Sequence, residues 1–406
     1  MNPTLDHLKL YEFLQRFEPI WGDSILQNWP LSRSYYPLDW LRSVMALSPN
    51  DLHDFANGRA SSSLHPDLRA LLAEAQSFEL RVSGEEMPLD KVDVQGLNHK
   101  KQHEVRRLFP VLTRLGADVT HAVDIGGGVG HLARLCVKHF QWRFHTIDKD
   151  VTLQAKGEWW LKRSRDFDRS KLSFVAGELK DEASDLDRYF SESQTLSLGL
   201  HTCGSLAVYQ FRKSLGSQRL INFGCCYDKT RPEELNLSEF GKSHPIAWNQ
   251  SSLFLATRGR NFLDDKEFKL LRRVNDHRFA FHLFVKAHYP QKGFLIAGDA
   301  PKSLYEQPFS VYAIDRLSKL GLNLEEKERL EEFYRSTQNE VFEIFAAHLI
   351  RNIFARPLEL FLLNDRVLWL NERGFHAELQ AVFDRDLSPR NVAIIARRSD
   401  PFDTSL

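Results

Sequence analysis

The sequence has little of what marks a secreted, membrane-spanning or nucleic-acid-coating protein. It holds four cysteines in 406 residues, two of them adjacent, which is no basis for a disulfide framework. A reducing, cytoplasmic setting is therefore expected. No apolar run approaches the roughly 18 residues that a spanning helix needs, so no membrane partner is expected. Residues 1–17 alternate charged and apolar side chains and lack a signal-peptide core. Charge of one sign is missing too: 54 Lys and Arg stand against 54 Asp and Glu. No global field draws the chain to nucleic acid and DNA is not expected, although a local basic patch stays open. There is no internal repeat and no long low-complexity segment. What is there, 42 % hydrophobic and 27 % charged residues, suits an ordinary globular core. The length suggests two or three structural units.

The most informative stretch runs from His121 to Asp148. The apolar run Ala122–Ile125 leads into Gly126, Gly127 and Gly128, with Gly130 two residues later. This reads as strand, glycine turn, helix and a second strand ending at Asp148. Glycines at such a turn allow positive φ and close approach of a ligand. The helix that follows aims its N-terminal N–H groups at the same place. An acid at the end of the second strand is placed for a ribose diol. The core is thus predicted to be a nucleoside-binding α/β sheet. A dinucleotide fingerprint needs a glycine where His131 stands, and no G-x-x-x-x-G-K-[ST] is present. What remains is Asp124-x-Gly126-x-Gly128-x-Gly130, which resembles the first motif of class I S-adenosylmethionine-dependent methyltransferases. The competing reading is a glycine-rich turn with no ligand.

Residues 1–90 read as a helical region without a chemical signature. Residues 96–116 read as a basic amphipathic helix with Val105, Leu108, Phe109, Leu112 and Leu115 as its buried stripe. Lys100, Lys101 and His103 stand at its N-terminal end, where the simpler reading is a solvated face. Strands are predicted at 122–126, 143–148, 172–176, 196–200 and 220–223, with helices between them. That alternation implies a mainly parallel sheet with right-handed crossovers. Trp159 and Trp160 read as packing residues. Between 256 and 292, nine Lys or Arg, Arg260 among them, face four Asp or Glu. Aromatic residues are interleaved there. Such a mixture suits a flipped or single-stranded nucleotide, but equally a helical subdomain with its own core. Residues 346–373 read as one long helix with a kink at Pro357, its apolar positions enclosing Asp365 and Arg366. Residues 375–383 and 392–396 read as an antiparallel pair.

The expected fold is therefore a class I methyltransferase (Rossmann-like) α/β fold. Its seven-stranded, mostly parallel sheet ends in an antiparallel hairpin. The units expected are a helical region at 1–90, a first core part at 91–228, a mostly helical insertion at 229–345, and the last core helix and hairpin at 346–400.

In such sheets a ligand lies beyond the carboxyl ends of the strands. His201-Thr202-Cys203-Gly204 and Gly224-Cys225-Cys226-Tyr227-Asp228 follow predicted strand ends and so share a rim with the glycine turn. His201, Cys203, Cys225 and Cys226 are four zinc-type ligands. However, adjacent cysteines on a strand end point opposite ways and no C-x-x-C is present, so no metal is expected. A covalent cysteine nucleophile is a further alternative.

Six segments together resemble the methyltransferase-like protein 25 family, which includes the so-called ribosomal RNA adenine dimethylase domain-containing protein. They are KKQHEV (100–105), VDIGGGVGHLA (123–133), LHTCGSLA (200–207), FGCCYDK (223–229), NDRVLWLNERG (364–374) and LSPRNVAIIA (387–396). The sequence departs from the family at Asn98-His99, Val129, Ser205 and Asp228. The resemblance implies methyl transfer from S-adenosyl-L-methionine and does not settle the acceptor, for which RNA and a protein of the translation machinery both stay open. The alternative is a catalytically silent module of the same fold that binds RNA or a protein. On the methyltransferase reading Gly126, Gly128 and Gly130, with Asp124, make room for the methionine part. Asp148 takes the ribose hydroxyls and Glu178 the adenine side. Lys100 or Lys101, with His103 beside them, meets the methionine carboxylate. His201 is the candidate base, since histidine titrates near neutrality. Tyr227 and Asp228 orient the acceptor.

Overall fold

The computed structural model describes residues 6–90, 93, 96–163, 168–192, 194–258, 262–323 and 325–398. Seven strands form one sheet: β1 (His121–Ile125), β2 (Arg143–Asp148), β3 (Leu172–Ala176), β4 (Thr195–Cys203), β5 (Arg219–Cys225), β6 (Phe375–Ala381) and β7 (Val392–Arg398). Their order is β3-β2-β1-β4-β5-β7-β6. The first five pair in parallel, and β7 runs antiparallel to both β5 and β6. This is the class I methyltransferase fold that the sequence predicts.

The central strands are apolar runs because both faces are covered. Alternation along β1 shows it. Ala122 packs into one core with Leu108, Phe109, Leu112 and Ala133, whereas Val123 and Ile125 enter another with Ile147, Leu179 and Phe190. The chain leaves β1 towards β2 on one side and returns to β4 on the other. The switch in direction therefore falls between β1 and β4, where a crevice opens outside the carboxyl ends.

Several expectations need correction. Strands β4 and β5 run on to Cys203 and Cys225, so these cysteines lie within strands rather than after them. The helix expected over 346–373 is broken. Gln338–Arg351 ends in a 3-10 turn at Asn352–Phe354, and a new helix runs over Ala355–Asn371. Proline clashes with the carbonyl four residues back and is best tolerated in a first helical turn, which is where Pro357 stands in the new helix. Trp159 and Trp160 are 46 % and 45 % exposed, not core residues; Arg163 lies 3.6 Å over the Trp159 ring. The basic and aromatic stretch becomes the 24-residue helix Asp265–His288, capped by Asp264 and Glu267. Phe268, Phe279, Phe281 and Phe284 on it are buried, which removes them from any base-stacking surface. Arg260 lies outside the described residues.

Contacts divide the chain into two compact units: 1–16 with 78–259 and 355–406, and 17–77 with 260–354. Within the first unit His7–Arg16 and Gln250–Arg258 both pack on Ala355–Asn371. Among the described residues the elements of the second unit are all helices. Within it the Trp29 indole donates to Glu340 at 2.7 Å, and Asn57 exchanges hydrogen bonds with the backbone of Leu263.

Asp365 has a definite task in the first unit. Its buried carboxylate accepts the N–H groups of Leu237 at 2.7 Å and Ser238 at 3.1 Å, and also the Ser238 hydroxyl. It fixes the chain soon after β5. Asp365→Ala strands these donors in the interior, and the expected loss is about 3 kcal/mol in urea unfolding. A loss under about 1 kcal/mol would contradict the anchoring role.

Candidate active site

The glycine loop is held from three sides. Gly126 N–H donates to Ile147 O at 2.8 Å. Gly128 N–H donates to Asp148 Oδ2 at 3.0 Å, and Gly128 O accepts Gln154 Nε2 at 2.6 Å. Gly126 has φ +74° and open space where a Cβ would stand, so the backbone there faces a cavity rather than a neighbour. Gly127 is constrained differently: a Cβ would sit 2.6 Å from Asp124 Oδ2. Its need for glycine comes from close approach, not from φ.

Two cavities meet at this loop, both bordered by Gly126 and His201. The larger, about 470 Å³, is also lined by Asp148, Glu178, Cys203 and Lys229. The smaller, about 250 Å³, is lined by Lys101, Glu104, Asp124, Gly128 and His131. The larger falls within the usual size of small-molecule sites.

The sequence-predicted residues divide accordingly. Lys101, Asp124, Gly126, Gly128, Asp148, Glu178 and His201 border the cavities. Lys100 stands behind them, 3.5 Å from Glu104. Four others are not brought to either cavity. His103 is buried, accepts Asp384 N–H at 2.9 Å and pairs with Glu86 at 2.9 Å. Successive helical residues differ by about 100° in direction, so Glu104, not His103, turns to the site. Gly130 begins the His131–Phe140 helix, and a Cβ there would meet Phe174 at 2.8 Å; packing demands this glycine. Tyr227 is 1 % exposed, and its hydroxyl lies 3.0 Å from Glu359 and 3.2 Å from Gly224 O. Asp228 accepts from the Thr257 hydroxyl at 2.8 Å.

Glu104 is the residue that sequence reasoning missed. Its Oε1 lies 2.9 Å from His201 Nε2 and accepts the Ser388 hydroxyl at 2.7 Å. Burial alone would raise its pKa, but the His201 and Ser388 hydrogen bonds and Lys100 outweigh that and hold it below the ordinary value. The Lys100–Glu104 spacing of one helical turn was the available signal. Asp124 goes the other way. Burial, with Asp148 nearby, pushes it up to about 7. One site thus keeps an ionised and a readily protonated carboxyl group close together. His131 is lowered to about 4, chiefly by burial and then by Arg134; it lines the smaller cavity as a neutral ring.

Both rims carry strained backbone. His201 has φ +65° at a bulge in β4, and Cys226 has φ +48° just after β5. Non-glycine residues in this region cost on the order of 1 kcal/mol or more and cluster at functional sites. The hydrogen bond from Cys225 lowers the Cys203 thiol to about 6, against an opposing effect of burial, while Cys225 itself is pushed up.

Residues 100–233 match a family model described as a methyltransferase domain. Among solved structures the chain is similar to the methyltransferase domain of a bacterial CtHen1, at 16 % identity over 30 % of this chain and 66 % of that one, with TM-score 0.25. It is also similar to geranyl diphosphate C-methyltransferase from Streptomyces coelicolor A3(2), crystallised with S-adenosyl-L-homocysteine, at 13 % identity over 39 % and 64 %, TM-score 0.23. A third is a putative RNA methyltransferase from Pyrococcus horikoshii, at 14 % identity over 45 % and 82 %, TM-score 0.25. The chain thus spans just under two thirds of the first two. Likeness this distant says nothing of the acceptor. The matched residues 100–233 carry the five parallel strands of the class I sheet.

The Asp124 shift has a consequence for stability. A carboxyl raised from 3.8 to about 7 in the fold contributes stability below the unfolded value, and that contribution is lost as pH rises through the folded value. Asp124→Asn should therefore gain on the native protein between pH 4 and 8, by on the order of a few kcal/mol. Urea midpoints across that range check it; a difference independent of pH contradicts it.

Proposed function

We propose that the chain transfers a methyl group from S-adenosyl-L-methionine to a macromolecular acceptor, as the resemblance to the methyltransferase-like protein 25 family implies. The observation that carries the reading is the open backbone of Gly126 set between the Asp148 carboxylate and His201 at the switch point of the sheet. The residues fit a nucleoside. Asp148 would hold the ribose hydroxyls, Glu178 the adenine side, and Lys101 the methionine carboxylate beside the glycine loop. When bound, the cofactor supplies an electrophilic methyl group.

The chain's own part is positioning and proton handling. Displacement at a methyl group needs donor and nucleophile in line, and much of the acceleration can come from that alignment. The buried Glu104 carboxylate orients His201. With Nε2–H donated to Glu104, Nδ1 keeps the lone pair that can take a proton from an acceptor. Cys203 and Lys229 border the larger cavity, and the acceptor would enter along them. RNA or a protein of the translation machinery is the acceptor class drawn from the resemblance.

Calorimetry with S-adenosylhomocysteine tests the cofactor. Binding at micromolar concentration is expected, weakened about tenfold, or about 1.4 kcal/mol, by Asp148→Asn. No heat at high micromolar ligand would sink the reading and favour a silent module. The acceptor is tested by labelled-methyl transfer into lysate from a strain lacking the gene. Label removed by RNase identifies RNA; label that survives RNase but not protease identifies protein. No incorporation with cofactor bound would contradict transfer.

A further inference from the structure

The three thiols on the rim converge. Cys203 Sγ lies 3.1 Å from Cys225 Sγ and 3.5 Å from Cys226 Sγ, and the three sulfurs lie within 4.8 Å of one another. Sequence logic set the two adjacent cysteines on opposite sides of a strand. That alternation ends at Cys225, the last residue of β5, because Cys226 is in the left-handed region. The turn keeps its sulfur on the same side. Gly204 presses the two rims together: its N–H donates to Cys225 O at 2.8 Å, and a Cβ there would lie 2.5 Å from the Lys229 backbone. Strain and close approach are thus both used to bring three sulfurs to one point.

We propose that Cys203, Cys225 and Cys226 bind a zinc ion through three thiolates, with the fourth position open towards the larger cavity. Zinc–sulfur bonds of about 2.3 Å in a tetrahedron set sulfurs about 3.8 Å apart; the two separations from Cys203, 3.1 Å and 3.5 Å, fall a little short of that, and all three sulfurs lie within 4.8 Å of one another. Cys203 is the exposed member and lines the cavity. Lys229, on the same wall, offsets the charge of three thiolates. Three protein ligands with one open place is the pattern of a catalytic rather than a structural zinc site. The free position suits a soft or borderline donor, a thiol sulfur or an imidazole nitrogen of a protein acceptor. Only this use of the open position rests on the methyltransferase reading; the metal site itself does not.

The test uses the full chain, purified in reductant without chelator. Zinc is measured by mass spectrometry, and cobalt is titrated into the metal-free protein, reading thiolate-to-cobalt charge transfer. About one equivalent of metal is expected. Cys203→Ser should weaken binding at least about tenfold, since losing a ligand costs no less than losing its outer partner. Cys226→Ser should do the same. Cys136→Ala, in the His131–Phe140 helix away from the cluster, should leave binding unchanged. Circular dichroism confirms each variant's fold, and Cys203→Ser decides the matter if Cys225→Ser fails to fold. Absence of metal in the reduced protein, a Cys203–Cys225 disulfide in its place, or equal cobalt affinity in folded Cys203→Ser would overturn the proposal. Binding of S-adenosylhomocysteine, measured separately on metal-free protein, keeps failure of the metal site distinct from failure of the methyltransferase reading.

Discussion

A buried carboxylate cannot stand alone in a protein interior. Glu104 is 2 % exposed, and the partners that make it tolerable come from its own helix and from two distant parts of the chain. His201 sits at the bulge in β4, Ser388 precedes β7, and Lys100 stands one turn back on the same helix. Removing any partner leaves a charge in low dielectric, so the carboxylate pins these segments to one another. The same contact sets His201 at the boundary of both cavities. Fold and candidate chemistry are joined at this atom. Three of the segments on which the family resemblance rests, around 100–105, 200–207 and 387–396, meet there.

The site's electrostatics follow from unequal solvation. Glu104 is buried but richly paired and is held ionised. Asp124 is buried close to another carboxylate and is held towards its neutral form. Both line the smaller cavity beside the glycine loop. The rims show a matching division of labour. Gly126 leaves space, Gly127 and Gly204 allow contact, and the left-handed His201 and Cys226 redirect side chains that regular strands would send elsewhere.

The first half of the sheet was legible because buried parallel strands are written as apolar runs and glycines punctuate them. Ala122–Ile125 needed nothing more, whereas Arg143–Asp148 mixes buried with more open positions and Leu172–Ala176 is buried only at Leu172. The ends of β4 and β5 were harder. His201, Thr202 and Cys203 look like a loop by composition, yet they pair with β5 across a bulge. The bulge is set by tertiary contact and leaves no local signal. Helix phase explains the exchange of His103 for Glu104: both stand in one short motif, and only packing decides which faces inward. After the left-handed Cys226, Tyr227 turns its ring inward to Glu359 and Asp228 pairs with Thr257, while Lys229 returns to the cavity wall. The aromatic residues of Asp265–His288 were ambiguous for a related reason. Composition matches a stacking platform, but burial spends the rings on a helical core. Asp365 and Arg366 stood out in an apolar stretch, yet the backbone donors that Asp365 accepts lie more than a hundred residues away.

On the proposed reading a sulfonium nucleoside binds over Gly126 in the cavity that Asp148 and His201 also line. A crystal structure with S-adenosylhomocysteine tests it directly. The nucleoside is expected in the larger cavity, its ribose hydroxyls within hydrogen-bonding distance of Asp148 and its sulfur on the side of His201 and Cys203. A nucleoside bound elsewhere, or the crevice closed by its own side chains at saturating ligand, would contradict it.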